Sequence, residues 1–164
     1  MNYAKIQKKI IERVDKIDKI APFVSFVEYP NYVWWVDGGF AIKIPKNHLF
    51  IDVKKINNLK NKLIDDNVFI NLLKEIESED LETVYPFNGK YKTYGKTKLI
   101  KFEQKNNDDI YIFKKFVKLF NPKYGVTFKV KKTQRGNQYR IICAFQGKEL
   151  VGLQTECLNM VESW

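Results

Sequence analysis

Between residues 23 and 45 the chain reads FVSFVEYPNYVWWVDGGFAIKIP. Three short apolar runs, Phe23–Val27, Tyr32–Val36 and Phe40–Ile44, are separated by Pro30-Asn31 and by Asp37-Gly38-Gly39, and Pro45 stops the third. Runs this short, rich in Val, Ile, Phe and Trp, fit strands better than helices. Glycine supplies the positive φ that a tight hairpin turn needs, so Asp37-Gly38-Gly39 marks a hairpin. The stretch predicts three antiparallel strands. Trp34 and Trp35 then point to opposite faces: one is core, and the other is a binding surface or an exposed aromatic.

Outward from these strands the period changes. Residues 3–20 place Ile6, Ile10, Val14 and Ile17 four, four and three apart, one stripe of a helix that Pro22 ends. Lys5, Lys8, Lys9, Arg13, Lys16 and Lys19 occupy the rest of its surface, partly offset by Glu12, Asp15 and Asp18. Residues 49–53 read as a further strand or as a helix start. Residues 55–79 read as helix, broken near Asp65-Asp66-Asn67, and residues 81–95, with Pro86 and Asn88-Gly89, read as loop.

The second half repeats the beat. Lys98–Phe102 reads as a strand. Residues 108–120 read as a helix with Ile112, Phe113, Phe116, Val117 and Phe120 apolar, Lys114, Lys115 and Lys118 on its polar side, and Asp108 and Asp109 at the end that favours negative charge. Asn121-Pro122 ends it, and strands follow at 125–131, 138–145 and 149–154. Each half thus offers a basic amphipathic helix, a proline and three antiparallel strands, with negligible identity between the halves. The expected fold is α+β: one domain over residues 1–164, with pseudo-repeats at about 1–54 and 96–155, a helical insertion at about 55–79, and both basic helices on one face.

Composition narrows the function. A chain of 164 residues with 45% hydrophobic residues can bury a core without staples. No apolar run reaches the ~18 residues of a membrane span, and the charged start MNYAKIQKKI lacks the apolar heart of a signal peptide. Two cysteines, Cys143 and Cys157, make no disulfide framework, which suits a reducing cytoplasm. Lys and Arg number 29 against 19 Asp and Glu, a net charge of +10, so an anionic partner is expected, with nucleic acid first.

The residues that bear on chemistry are few. The lysines of the two helices either solvate exposed faces or contact phosphates; their equivalent places in the repeat favour phosphate contact without base reading. Lys129, Lys131, Lys132, Arg135 and Arg140, with Tyr139 nearby, form a basic hairpin that a lysine-blunted strand edge explains equally well. Asp37 followed by Asp52-Val53-Lys54 matches a pattern of metal-dependent nucleases: one carboxylate on a strand, then an acidic residue, any residue and a lysine on the next. The carboxylates hold a divalent metal and the lysine helps activate water; Glu12 is a further acid nearby in sequence. The alternative is a turn aspartate and an unrelated surface pair. His48 is the only histidine, so no histidine-based zinc site or catalytic pair can be built. No cofactor-binding motif is present.

Several strings resemble the bacterial DNA polymerase sliding clamp. In that family a strand ends in a Thr-Asp-Gly turn before an apolar strand; here the string is Trp35-Val36-Asp37-Gly38-Gly39-Phe40-Ala41-Ile42-Lys43-Ile44-Pro45, with Val36 in place of threonine. Near its end the family has a helix before strands that finish in a Leu-Met-Pro-type segment. Here Tyr111–Phe120 precedes strands ending Leu150-Val151-Gly152-Leu153-Gln154-Thr155, without the proline. Val84-Tyr85-Pro86-Phe87-Asn88-Gly89-Lys90-Tyr91 is similar to the clamp's Phe-Pro-Asp-Tyr loop. The clamp domain is itself a doubled helix-plus-strands unit whose helices line a ring.

The resemblance implies a phage-type replication accessory and no enzyme: a processivity factor that binds DNA non-specifically and tethers a polymerase or other replication protein. Lys5, Lys8, Lys9, Arg13, Lys16, Lys114, Lys115 and Lys118 would face the phosphates. Bacterial clamps carry three such domains per chain and two chains close the ring, so a single domain would need roughly six copies, or would act as a monomeric relative. Two other readings stay open: the magnesium-dependent nuclease using Asp37, Asp52 and Lys54, and a small protein-binding inhibitor of host replication or defence. In each case the host cytoplasm is the expected location.

Overall fold

Asn2, Asp52 and Asp65 each stand just before a helix. The Asn2 Oδ1 accepts the Lys5 N–H at 3.0 Å, the Asp52 Oδ1 accepts the Lys55 N–H at 3.0 Å, and the Asp65 Oδ1 accepts the Asn67 N–H at 2.8 Å. These caps satisfy donors that a first helical turn leaves orphaned. They open α1 (Tyr3–Asp15), α2 (Val53–Leu59) and α3 (Asp66–Ser78). The computed structural model describes residues 1–15, 24–37, 39–59, 65–94, 97–104, 107–120, 125–132 and 139–157. The expectations for Lys16 to Pro22, the hairpin glycine Gly38, Asn121-Pro122 and the turn with Arg135 and Gly136-Asn137 lie outside these residues. The chain divides into two units, Met1–Ser78 and Glu79–Trp164.

The first unit holds the three expected strands, β1 (Val24–Glu28), β2 (Tyr32–Asp37) and β3 (Phe40–Pro45), paired antiparallel in chain order. Val27, Trp34 and Lys43 stand in register on one face; Phe26, Trp35 and Ile42 stand on the other. Trp34 meets the Phe69 ring of α3 edge-on at 5.7 Å, and Trp35 meets Phe40 edge-on at 5.0 Å. Both tryptophans are buried, at 2% and 4% exposure. Neither is therefore the exposed aromatic that the strand pattern allowed, since α3 brings its own aromatic onto the Trp34 face.

On α1, Ile6 and Ile10 are buried as the stripe requires, and so is Gln7. The Gln7 Nε2 donates to the His48 carbonyl at 2.6 Å, and its Oε1 accepts the Phe50 N–H at 2.7 Å. A side chain thus occupies backbone groups that a strand would have used, and Leu49 to Asp52 run irregularly into α2. Of the two readings left open for residues 49–53, the helix start is the one realised.

The second unit is a six-stranded antiparallel sheet: β4 (Glu82–Tyr94), β5 (Thr97–Gln104), β6 (Asn107–Phe113), β7 (Val126–Lys132), β8 (Arg140–Gln146) and β9 (Glu149–Thr155). Its spatial order is β9-β8-β7-β4-β5-β6. Only Glu82 to Val84 pair with β7, while β4 pairs with β5 from Tyr85 onward, through a register shift between Pro86 and Tyr91. A strand that changes partners through a bulge turns a corner. Laid flat, six strands would hold β6 and β9 roughly 24 Å apart. Instead, the Cys157 N–H, just past β9, donates to the Tyr111 carbonyl of β6 at 3.0 Å. Arg140 on β8 donates to the Asp109 carbonyl of β6 at 3.1 Å. The sheet is therefore curled until its ends meet.

The concave core is aromatic. Phe102 meets Phe128 at 5.2 Å, Phe128 meets Phe120 at 6.1 Å, and Phe120 meets Phe116 at 4.9 Å, all edge-on. Phe116 lies on α4 (Lys114–Val117), a single helical turn after β6.

Two expectations are corrected here. Glu82–Tyr94, within the stretch expected to be a loop at 81–95, form β4, and the bulge after Pro86 absorbs Asn88-Gly89 within the strand. Residues 108–120 are not a helix: β6 takes the first part and only Lys114–Val117 are α-helical. Ile110 and Ile112 are fully buried while Tyr111 and Phe113 are half-exposed. That is period two, carried by β-branched and aromatic residues that suit a pleated surface. The second long basic helix is accordingly missing, and with it the helix of the second half of the expected doubled unit. Within the stretch expected to be helical at about 55–79, Lys55–Leu59 belong to α2 and Asp66–Ser78 form α3.

Candidate nucleic-acid interface

The outer side of α1 carries Lys5, Lys8 and Lys9, all exposed. At 100° per residue the three fall within roughly a 100° arc, opposite Ile6, Gln7 and Ile10. Arg13 continues α1, with its side chain outside the described residues, and Lys16 lies outside them altogether. This face belongs to the first unit.

Lys114, Lys115 and Lys118 belong to the second unit. They lie on and just after α4, not along a long helix; Lys115 and Lys118 are exposed and Lys114 is half-buried. Their setting is the convex face of β4, β5 and β6. Register places Tyr85 with Glu103, Lys101 with Tyr111, and Leu99 with Phe113 on that one face; Leu99 is buried there and Tyr111 and Phe113 are half-buried, so its open part lies around Tyr85. Phe87 joins it, two residues beyond Tyr85, with the Lys101 Nζ 5.1 Å from its ring centroid. The Lys115 Nζ stands 5.0 Å from the Phe113 ring centroid. Tyr85 is 72% exposed and Phe87 38%. The Lys101 Nζ also contacts Glu103 and Asp109, each at 3.2 Å. Hydrogen bonds to Asp109 and then to Glu103 raise its pKa, so it remains a cation throughout the neutral range. Sequence reasoning missed Tyr85 and Phe87 because proline and Asn-Gly spoke for a loop. The alternation of Val84 with Tyr85, and of Pro86 with Phe87, was the available signal.

The basic hairpin is mostly structural. Lys131 is buried and ion-paired with Glu79. Arg140 holds Glu156 through two nitrogens, with Nε at 2.8 Å from Oε2. The Lys129 Nζ lies 5.4 Å from the Phe145 ring centroid, and Lys132 is exposed. Arg135 is outside the described residues.

The nuclease candidates stand in different local settings. Asp37 is buried at the end of β2. Asp52 is exposed and caps α2, and Lys54 is an exposed residue of the same first turn. The Asp-x-Lys segment is thus a helix start, where the cap hydrogen bond engages the carboxylate, not a strand presenting it to a metal. Among the described residues no group of three or more His, Cys, Asp or Glu could hold a metal ion. Cys143 is buried, which pushes its thiol up to about 12 against the pull of Lys131. Burial, and then Glu156, push Cys157 up to about 11. Neither thiol is an activated nucleophile. Among the described residues no helix is long and apolar enough to cross a membrane.

Comparison with protein-family models, with curated proteins and with solved structures finds no match for this chain.

Proposed function

We propose that the protein is a non-enzymatic DNA-binding accessory of replication that contacts phosphates, without reading bases, through the exposed face of α1. The observation that carries this reading is the placing of Lys5, Lys8 and Lys9 on one solvated helix face of a chain with a net charge of +10. The sliding-clamp resemblance supplies the role: a phage-type processivity factor that tethers a polymerase or another replication protein, as a homo-oligomeric ring or as a single subunit.

Binding to labelled duplex DNA across a salt series tests the reading. The affinity should fall as salt rises. Reversing the three charges, with Lys5→Glu, Lys8→Glu and Lys9→Glu together, should flatten the slope of log K against log salt by roughly 2.7 if three phosphate contacts are lost. An unchanged slope in the triple variant would exclude α1 as the contact. Light scattering decides between ring and single subunit, since closure needs a multimer of about six copies.

A further inference from the structure

The convex face of β4, β5 and β6 has an unusual content. Tyr85, Phe87, Tyr111 and Phe113 share it, and two of the rings have a lysine ammonium near them, Lys101 by Phe87 and Lys115 by Phe113. Tyr85 shows most of its surface to water. Two adjoining exposed rings, backed by two half-buried ones, make a contiguous apolar patch of the kind that marks an interaction site.

We propose that this face is a stacking platform for single-stranded DNA, with Tyr85 and Phe87 taking neighbouring bases and the lysines of the α4 segment following the phosphates. The inference deepens the DNA-binding reading and rests on it. Every base has a π-face, so stacking on exposed rings tolerates any sequence, as a general accessory requires. Tyr85 and Phe87 are separate rings on β4, one on each side of Pro86. Separate rings take separate bases, whereas a duplex keeps its base faces closed in its own stack. Charge bears on the occupant as well: Lys101 offsets one of the two carboxylates it touches, Glu103 and Asp109, and Lys115 and Lys118 add two exposed ammonium groups where β6 ends. Register sets the Leu99–Phe113 pair beside α4 and the Tyr85–Glu103 pair four residues further along β5, roughly 13 Å, so a strand of a few nucleotides would run from the α4 lysines to the rings. A duplex offers its phosphates but not its base faces, so it can use α1 but not this platform.

The test compares a short fluorescent oligo(dT) with a fluorescent duplex by anisotropy, for the full chain and its variants. We expect oligo(dT) to bind more tightly than duplex. Tyr85→Ala and Phe87→Ala should each weaken oligo(dT) roughly 5- to 150-fold, with duplex affinity unchanged. Tyr85→Trp, which keeps a π-face, should retain the wild-type affinity for oligo(dT); this separates stacking from a general disturbance of β4. Unchanged oligo(dT) binding in the Tyr85→Ala, Phe87→Ala double variant, with duplex binding intact, would overturn the platform and leave the DNA-binding reading standing. Failure of the wild-type protein to bind either DNA would overturn both.

Discussion

Gly152 lies against the Phe120 ring so closely that a β-carbon on it would stand 2.4 Å from the Phe120 Cζ and 3.4 Å from the Phe116 ring. Phe120 also meets Phe116 and Phe128 edge-on, so a shift of its ring disturbs both contacts. Gly152→Ala should therefore destabilise the protein by about 1–3 kcal/mol, the usual cost of overpacking. The change would be read as a lower urea midpoint. Adding Phe120→Leu to Gly152→Ala should recover part of the loss; a double variant weaker than the sum of the single ones would show that the contact is not the cause.

Gln7 ties α1 to the segment before α2 through the His48 carbonyl and the Phe50 N–H. Gln7→Leu keeps the volume but leaves those backbone groups without their partner. A loss of about 1–3 kcal/mol is expected, together with faster hydrogen exchange at the Phe50 amide while α1 stays helical by circular dichroism. Unaltered exchange at Phe50 would mean that the amide is not what holds the segment.

Gln154 has the opposite character. It is buried on β9 opposite Ile142, on the face shared with Gly152, and neither atom of its amide has a hydrogen-bond partner among the described residues. Gln154→Met retains the shape and removes the stranded polar atoms. The midpoint in urea should rise, by about 1–3 kcal/mol of stability. A destabilised variant would indicate that the amide is bound to internal water.

Asp52→Ala separates a cap from a metal ligand. Loss of the cap should lower stability by about 0.5–2 kcal/mol. Magnesium should shift the melting midpoint of neither the native protein nor the variant. A magnesium-dependent shift present in the native protein and absent from Asp52→Ala would restore the nuclease reading.

The raised thiol pKa values give a sign to the alkaline behaviour. Unfolding would return Cys143 and Cys157 to about 8.5, below their folded values of about 12 and 11. The folded state then holds the protons more tightly, so the contribution of these thiols to stability is fully present below about pH 8.5 and is lost as pH rises toward the folded values. The urea midpoint of Cys143→Ala should accordingly fall less steeply above pH 8.5 than that of the native protein. Parallel curves would assign the alkaline loss to other groups.

The strands at 24–45 were legible because each apolar run ends in residues that cannot continue it, and the helix of Ile6 and Ile10 because its stripe has an unambiguous period. Asp65-Asp66-Asn67 was legible as a break in the helical stretch, and Asp65 proves to be the cap of α3. Residues 107–113 could not be read with the same ease. Ile110, Ile112, Phe113, Phe116 and Phe120 contain both a two-residue and a three-to-four-residue spacing, and only pairing with β5 decides between them. The candidate site suffered from the same ambiguity. Lys114, Lys115 and Lys118 were placed on a helix that is one turn long, and the rings beside them were assigned to a loop and a helical core. The engagement of Lys131 with Glu79 and of Arg140 with Glu156 involves partners 52 and 16 residues away in the chain, which no local pattern announces.

The seam that closes the second unit joins residues 109 and 111 to residues 140 and 157. On a ribosome, β6 is made first and its outer edge waits for the segment that will cover it. Residue 157 follows residue 111 by 46 positions, about 2–9 s at ordinary elongation rates. Through that interval the Asp109 and Tyr111 carbonyls lack the partners they have in the fold, and an unpaired strand edge is where nascent chains pair with one another. The curl of the sheet thus sets an order of events as well as a shape: the seam can form only once the segment just past β9 has been made.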